Sequence, residues 1–336
     1  MKDYKDYSLL RHNTFGIDAL CRRFLEFDST DDARQVAEHL RSGEPYLIIG
    51  GGSNLLLTRD FEGTVVRSAM RGIEVTADGN DVLLTCGSGE VWDDVVAFAV
   101  GQRFYGAENL SLIPGDVGAS AVQNIGAYGA EAAQLIETVE AVSVATGDVC
   151  TFANADCQYG YRQSRFKHAW KNQYLITRVT YRLHRQAALN LDYGNIRAEL
   201  ERQGIAEPTL AQLRQVIIDI RRAKLPDPKV QGNAGSFFMN PVVSREKFES
   251  LLADYPQMPH YHVDDAHEKI PAGWMIDQCG WKGRSLGPAG VHDKQALVLV
   301  NRGGATGADI VRLCEAIRHD VSQRFGIDIH PEVNII

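Results

Sequence analysis

Tyr46-Leu47-Ile48-Ile49-Gly50-Gly51-Gly52-Ser53-Asn54 sets four apolar residues directly before three glycines and two short polar side chains. The apolar run reads as a buried strand, and its end at Gly50 makes a strand-and-turn unit. Glycine accepts the backbone angles that let successive N–H groups face a ligand, an arrangement able to wrap a pyrophosphate. It is not a dinucleotide fingerprint, because Leu55 stands where the third glycine of G-x-G-x-x-G belongs and no helical pattern follows. Nor is it a Walker A loop, since no Gly-Lys-Ser or Gly-Lys-Thr occurs in the chain. On the residues alone a tight glycine turn is an equal reading.

Around this unit the pattern alternates helix and strand. Residues 30 to 41 read as a helix with Thr30 as N-cap and Ala33, Val36, Ala37 and Leu40 inward. A strand Val82 to Cys86 and a helix Val91 to Val100, with Trp92, Val95, Val96 and Ala99 on one face, come next. The β-rich runs Thr138 to Val144 and Tyr174 to Leu183 then dominate. Thr209 opens a helix that must stop near Leu225, because Pro226 disfavours helical geometry in the residue before it. Pro226 to Pro228 marks a domain boundary. Beyond it lie a strand Ala296 to Asn301, an amphipathic helix through Ile310, Leu313, Cys314, Ile317 and Val321, and a strand-like Ile327 to Val333.

With 336 residues, the chain needs two or three packed units. The net charge of -8, with basic residues scattered, argues against nucleic acid, which demands a clustered basic surface. No apolar run reaches membrane length and the N-terminus lacks an apolar signal core, so a cytoplasmic protein without membrane insertion is expected. The six cysteines form no C-x-x-C pair, which fits reduced thiols. His260, His262 and His267 with Asp264 and Asp265 match no zinc spacing and read as a solvated loop, so no metal is expected.

Four further segments carry polar groups in unusual settings. Ile113-Pro114-Gly115-Asp116-Val117-Gly118-Ala119-Ser120 runs into Gln123-Asn124-Ile125-Gly126-Ala127-Tyr128-Gly129, too irregular for a plain strand. Tyr159-Gly160-Tyr161-Arg162 places a guanidinium between aromatics, and such a planar fork can grip a carboxylate through two parallel hydrogen bonds. Asn233-Ala234-Gly235-Ser236-Phe237-Phe238 holds a lone serine after a permissive glycine, with no G-x-S-x-G elbow and no adjacent histidine. Glu332 lies between Pro331 and Val333, where strand alternation puts it opposite Ile327, Ile329 and Val333. Taken singly, these read as a glycine-rich loop, a stacked surface arginine, a turn serine and a solvated carboxylate.

Taken together, these segments resemble the type I UDP-N-acetylenolpyruvoylglucosamine reductase (MurB) family across almost the whole chain. The resemblance implies an α+β protein: an FAD-binding fold of the vanillyl-alcohol-oxidase (PCMH) type in two subdomains, residues 1–66 and 67–223. A smaller α+β substrate-binding domain would cover 224–325, and a C-terminal strand, 326–336, would return to the active site. It implies catalytic Arg162, Ser236 and Glu332: a carboxylate-binding arginine, a proton donor and a glutamate that stabilises an enolic intermediate. The serine would need a neighbour or water to ease formation of its alkoxide, and a protonated Glu332 would need burial.

For FAD the resemblance points to Gly50, Gly51, Gly52, Ser53 and Asn54, and to Ile113, Pro114, Gly115, Ala119, Ser120, Gln123, Asn124, Gly126 and Ala127. For the UDP-sugar it points to Tyr128, Tyr193, Lys224, Asn240 and Gln295, with Tyr261 and Lys282 as weaker candidates. Asp116 departs from the small neutral residue or cysteine common in the family, and a carboxylate near a phosphate would repel it. The implied activity is NADPH-dependent, FAD-mediated reduction of UDP-N-acetylglucosamine enolpyruvate to UDP-N-acetylmuramate in peptidoglycan synthesis, by a monomer. A sugar or alcohol oxidase on the same scaffold is the alternative enzyme. Such oxidases commonly tether FAD through a histidine near the glycine-rich loop, and none occurs between His39 and His168, so non-covalent FAD is expected. A binding module without turnover would lack one of Arg162, Ser236 and Glu332, and all three are present.

Overall fold

The computed structural model describes residues 1–186 and 188–336. Its contacts divide the chain into two compact units, one of Met1–Tyr7, Leu20–Gly51 and Phe61–Ala223, the other of Ser8–Ala19, Gly52–Asp60 and Lys224–Ile336. The long segment of the second unit starts at Lys224, two residues before the Pro226 to Pro228 stretch. The unit also takes in two N-terminal segments that had been expected with residues 1–66.

In the first unit, Leu20–Phe27, Phe61–Ser68 and Tyr46–Ile49 form parallel neighbours in a four-stranded sheet, with Lys2–Ser8 at its edge. The helix Thr30–Leu40 connects two of these strands and buries Ala33, Val36, Ala37 and Leu40 against Leu25, Val66, Val142 and Leu175. Its N-cap is Ser29 rather than Thr30: Ser29 has extended backbone angles and its hydroxyl accepts from the Asp32 N–H at 3.1 Å, satisfying an orphan donor of the first turn. A five-stranded antiparallel sheet follows, with Ile136–Ser143, Tyr174–His184 and Asp81–Gly87 at its centre. The helix Trp92–Gly101 covers it with Trp92, Val95, Val96 and Ala99, all buried in one cluster. Residues 113–129 are not wholly irregular. They contain the short helix Val117–Gln123, whose Val117, Ser120 and Ala121 are buried.

In the second unit, Asn233–Ser236, Val298–Asn301, Ala289–Val291 and Ser285–Leu286 make an antiparallel sheet. The helix Gly307–Phe325 packs on it through Ile310, Leu313, Cys314, Ile317 and Val321, its first turn closed by the reciprocal Thr306 and Asp309 capping box. The strand expected over Ile327 to Val333 is not formed. The ladder begins later, at Asn334–Ile335, which pairs in parallel with Leu55–Leu56. The alternation still holds in burial, with Ile327, Ile329 and Val333 inside.

The same pairing explains why Gly52–Asp60 belongs here: the Thr58 N–H and hydroxyl both donate to the Ile336 carbonyl, at 2.8 and 2.6 Å. Gly307 is packed so closely that a Cβ there would overlap the Leu57 carbonyl. Ser8–Ala19 is held likewise, by the Thr14 hydroxyl on the Asn233 carbonyl at 2.6 Å and the Asn301 side chain on the Phe15 carbonyl at 3.1 Å.

Candidate active site

Within the first unit two glycine-rich segments converge beyond the C-terminal ends of the parallel strands, where open α/β sheets place their ligands. A Cβ built on Gly50 would lie 3.2 Å from the Ala119 Cβ, and one on Gly51 would lie 3.2 Å from Asp116 Oδ1 and 3.4 Å from the Gly115 Cα. The turn thus needs glycine because residues 115–119 pack directly against it. Gly115 itself has φ +122°, a conformation side chains rarely adopt.

Several candidates in this loop turn their side chains inward. Ser120 is fully buried, and its hydroxyl is shared between the Val117 carbonyl at 2.7 Å and the Tyr181 hydroxyl at 2.6 Å. Asn124 is also fully buried: its Nδ2 donates to Glu131 and to the Gly160 carbonyl, and its Oδ1 accepts from the Ala133 N–H. These two side chains brace the loop, so any ligand contact they make is through the main chain. Ile113, Gly115, Ala119, Gln123, Gly126 and Ala127 are half-buried and Pro114 is exposed.

Asp116 is buried beneath the turn, 5% exposed, and pairs with Arg67 at 3.6 Å, longer than a hydrogen bond. Burial pushes its carboxyl above the usual range, and Arg67 pulls in the opposite direction. Arg67 Nε and Asp116 Oδ2 are both buried without a hydrogen-bond partner. Sequence reasoning saw Asp116 only as a misfit and overlooked Arg67, which sits in register with Ile49 immediately before the glycines.

Arg162 joins this unit's site through an unusual backbone, with φ +55° in the left-handed region that costs a non-glycine residue free energy. The bend lets its guanidinium donate to two carbonyls, Asn124 at 3.3 Å and Gly126 at 2.5 Å, with its carbon 5.1 Å from the Tyr161 ring centre. The clamp fixes the plane of the fork. Tyr128, at φ +48°, has its hydroxyl raised by burial and its main chain held by Asn109, whose Nδ2 donates to the Tyr128 carbonyl at 2.8 Å. Tyr193 is exposed but adjacent, since a Cβ on Gly129 would lie 3.2 Å from the Tyr193 Cβ. Arg221, also missed from the sequence, interacts with the Tyr128 hydroxyl.

Within the second unit Ser236, Glu332 and Asn54 are brought together. Gly235, at φ +69°, turns the chain so that Ser236 is exposed beside the buried Phe237, which is locked by its N–H on the Leu297 carbonyl at 2.7 Å. The Glu332 N–H donates to the Phe237 carbonyl at 2.8 Å, and the Met239 N–H to the His330 carbonyl at 3.0 Å. The serine strand and the C-terminal segment therefore lie side by side. Asn54 Nδ2 donates to the Glu332 carbonyl at 3.3 Å, which carries the polar end of the glycine turn to the same place.

Asn240 and Gln295 meet at the start of the helix Ala272–Gln278. Asn240 Oδ1 accepts from the Ala272 N–H at 2.9 Å, and a Cβ on Gly273 would lie 3.1 Å from Gln295 Oε1. Lys224 is exposed. Tyr261 is exposed beneath the Lys269 ammonium, and Lys282 pairs with Asp277 at 3.2 Å. Among the described residues no cluster of three or more His, Cys, Asp or Glu could hold a metal ion, and all six cysteines are free.

Known proteins resemble the chain over nearly its whole length. Residues 22–153 match an FAD binding domain model, and residues 227–336 match the C-terminal domain of UDP-N-acetylenolpyruvoylglucosamine reductase. The chain is 57% identical over 332 residues to the UDP-N-acetylenolpyruvoylglucosamine reductase of Bacteroides fragilis, covering 98% of this chain and 99% of the relative. It is 49% identical to that of Porphyromonas gingivalis, covering 99% and 98%. A crystal structure of the Thermus caldophilus reductase, MurB, shares 20% identity at a TM-score of 0.68, covering 99% of this chain and 98% of that one, and so shares the fold. The chain belongs to the UDP-N-acetylenolpyruvoylglucosamine reductase family. It is a flavin-dependent oxidoreductase of the α+β class, and its cofactor is FAD.

The residues present fit that group. Gly50 and Gly51 let the second glycine-rich segment close against the first, and the buried Asp116 carboxyl beside them has one oxygen, Oδ2, without a hydrogen-bond partner.

Proposed function

We propose that this reductase uses NADPH and FAD to reduce UDP-N-acetylglucosamine enolpyruvate to UDP-N-acetylmuramate, a step of peptidoglycan synthesis, in the cytoplasm. The observation that carries the reading is the pairing that sets Glu332 beside the Ser236 strand, through the Glu332 N–H on the Phe237 carbonyl at 2.8 Å. Acid and anion-stabilising groups on adjacent segments suit an acceptor that needs a proton at one carbon and charge stabilisation at its carboxylate.

FAD, which Gly50, Gly51 and the segment 113–127 would hold, would supply the hydride chemistry between NADPH and the terminal vinyl carbon of the substrate. Arg162 grips the substrate carboxylate with its held, planar fork, which strengthens as negative charge develops there. Glu332 stabilises the enolic intermediate, either by polarising the carboxylate or by holding a proton on it. Ser236 hands its hydroxyl proton to the adjacent carbon, and water or a neighbouring donor restores it. For the UDP-sugar the residues of the second unit are Lys224, Asn240 and Gln295, a lysine and two amides matching what a diphosphate requires, and those of the first unit are Tyr128 and Tyr193.

Under argon, incubation of the purified protein with NADPH and the enolpyruvyl UDP-sugar tests this by mass spectrometry of the sugar. The account expects a product heavier by two hydrogens and stoichiometric with NADP. An unchanged sugar, with NADPH consumed only when oxygen is admitted, would favour an oxidase.

A further inference from the structure

The carboxylate of Asp116 lies under the glycine turn, where a negative charge would repel a diphosphate, yet it is kept there with Arg67 as its partner. Both oxygens lie against the turn: Oδ2 is 3.7 Å from the position of a Cβ on Gly50 and 3.6 Å from Arg67, and Oδ1, the oxygen away from that ion pair, is 3.2 Å from the position of a Cβ on Gly51. A carboxylate next to an anionic dinucleotide can gain only from a donor, and FAD carries its hydroxyl donors on the ribityl chain and the adenosine ribose.

We infer that Asp116 is a cofactor-binding residue whose Oδ1 accepts a hydrogen bond from a sugar-type hydroxyl of FAD, with Arg67 neutralising its charge so that the diphosphate is tolerated alongside. Arg67 is well placed for this, on the strand Phe61–Ser68 in register with Ile49, and it is also tied to Glu26 at 3.3 Å. A buried carboxylate with a guanidinium partner costs far less than a lone one. The helix Val117–Gln123 does not use Asp116 as a side-chain cap, although the residue holds the N-cap position, so the carboxyl is not retained for helix capping. The inference rests on FAD occupying the Gly50–Gly51 turn.

The experiment strips FAD from the holoenzyme and measures rebinding by flavin fluorescence quenching, for the native chain, Asp116→Ala and the double variant Arg67→Met with Asp116→Ala. The double variant leaves no unpaired buried charge if the single one fails to fold. Both should bind FAD roughly ten- to a hundredfold more weakly, the value of a hydrogen bond to a charged group. FMN and ADP as separate probes then assign the hydroxyl: weakened FMN binding marks the ribityl chain, weakened ADP binding the ribose.

Unchanged or tighter FAD binding by the variants would overturn the inference, leaving Asp116 a brace or a tolerated repulsion. Lowered thermal stability with native FAD affinity would do the same. Failure of the native chain to rebind FAD would instead count against the turn as the FAD seat.

Discussion

Asn54 Nδ2 donates to the Glu332 carbonyl at 3.3 Å, while the Asn54 carbonyl accepts from both the N–H and the side chain of Asn334, at 3.1 Å each. The end of the glycine turn and the C-terminal segment are thereby one piece, and a residue expected to meet a pyrophosphate also sets the height of Glu332.

Asn54→Ala removes only the side-chain bond and should cost about 1 kcal/mol of stability. Its kinetic effect should be larger on reduction of the UDP-sugar than on reduction of the flavin by NADPH. Stopped-flow comparison of the two half-reactions checks this, and an equal slowing of both would count against the link to Glu332.

Ser236→Ala should preserve flavin reduction by NADPH and slow reduction of the UDP-sugar by roughly 10²–10⁴-fold, the usual worth of a placed proton donor. The exposed position of Ser236 makes the truncation structurally mild. Equal loss of both half-reactions would refute the assigned role.

The Arg162 clamp can be broken without touching the arginine. A Cβ on Gly126 would lie 2.7 Å from Arg162 Nη1 and 2.9 Å from the Ala130 carbonyl. Gly126→Ala should therefore give a folded protein with kcat/KM for the UDP-sugar lowered roughly ten- to a hundredfold through misplacement. Arg162→Lys, which loses the fork, should lower it at least as far. Native kcat/KM in Gly126→Ala would mean that the clamp is dispensable.

Glu108 supplies a pH test of stability. Its side chain is 3% exposed and accepts from the Gly106 N–H at 2.7 Å, and burial raises its folded-state pKa above the ordinary value. Between the unfolded and folded values the native state binds more protons, so this group's stabilisation is complete below the unfolded pKa and is lost as pH rises through the folded one. Glu108→Gln, which cannot ionise, should gain stability relative to the native chain between pH 4 and pH 8. Urea denaturation at those two pH values measures it, and a difference that does not change with pH would be contrary.

Periodic elements were legible in the sequence because one residue type at each position decides them. The helix Gly307–Phe325 buries the Ile310, Leu313, Cys314, Ile317 and Val321 stripe that its spacing announces. The Ser29 cap was missed by one residue, since serine and threonine in succession cap equally well on paper. The helix Val117–Gln123 was hidden by its glycine and small residues, whose helical state depends on burial of Val117, Ser120 and Ala121. At the C-terminus, apolar alternation from Ile327 to Val333 reported burial faithfully but not pairing, which needs a partner strand, and Leu55–Leu56 reaches only Asn334–Ile335.

The candidate site was legible as residue types and not as geometry. Nothing local to Arg162 reveals its left-handed backbone, which is stabilised by carbonyls 36 and 38 residues away. The pairing of Arg67 with Asp116 was equally out of reach, because those residues meet only through tertiary contacts.

An anaerobic titration followed by flavin absorbance tests the central claim most directly. NADPH should bleach the visible bands of the bound, extractable flavin, and the enolpyruvyl UDP-sugar should then restore them without oxygen. A protein that carries and binds no flavin, or one whose bleached bands return only when oxygen is admitted, would contradict the account.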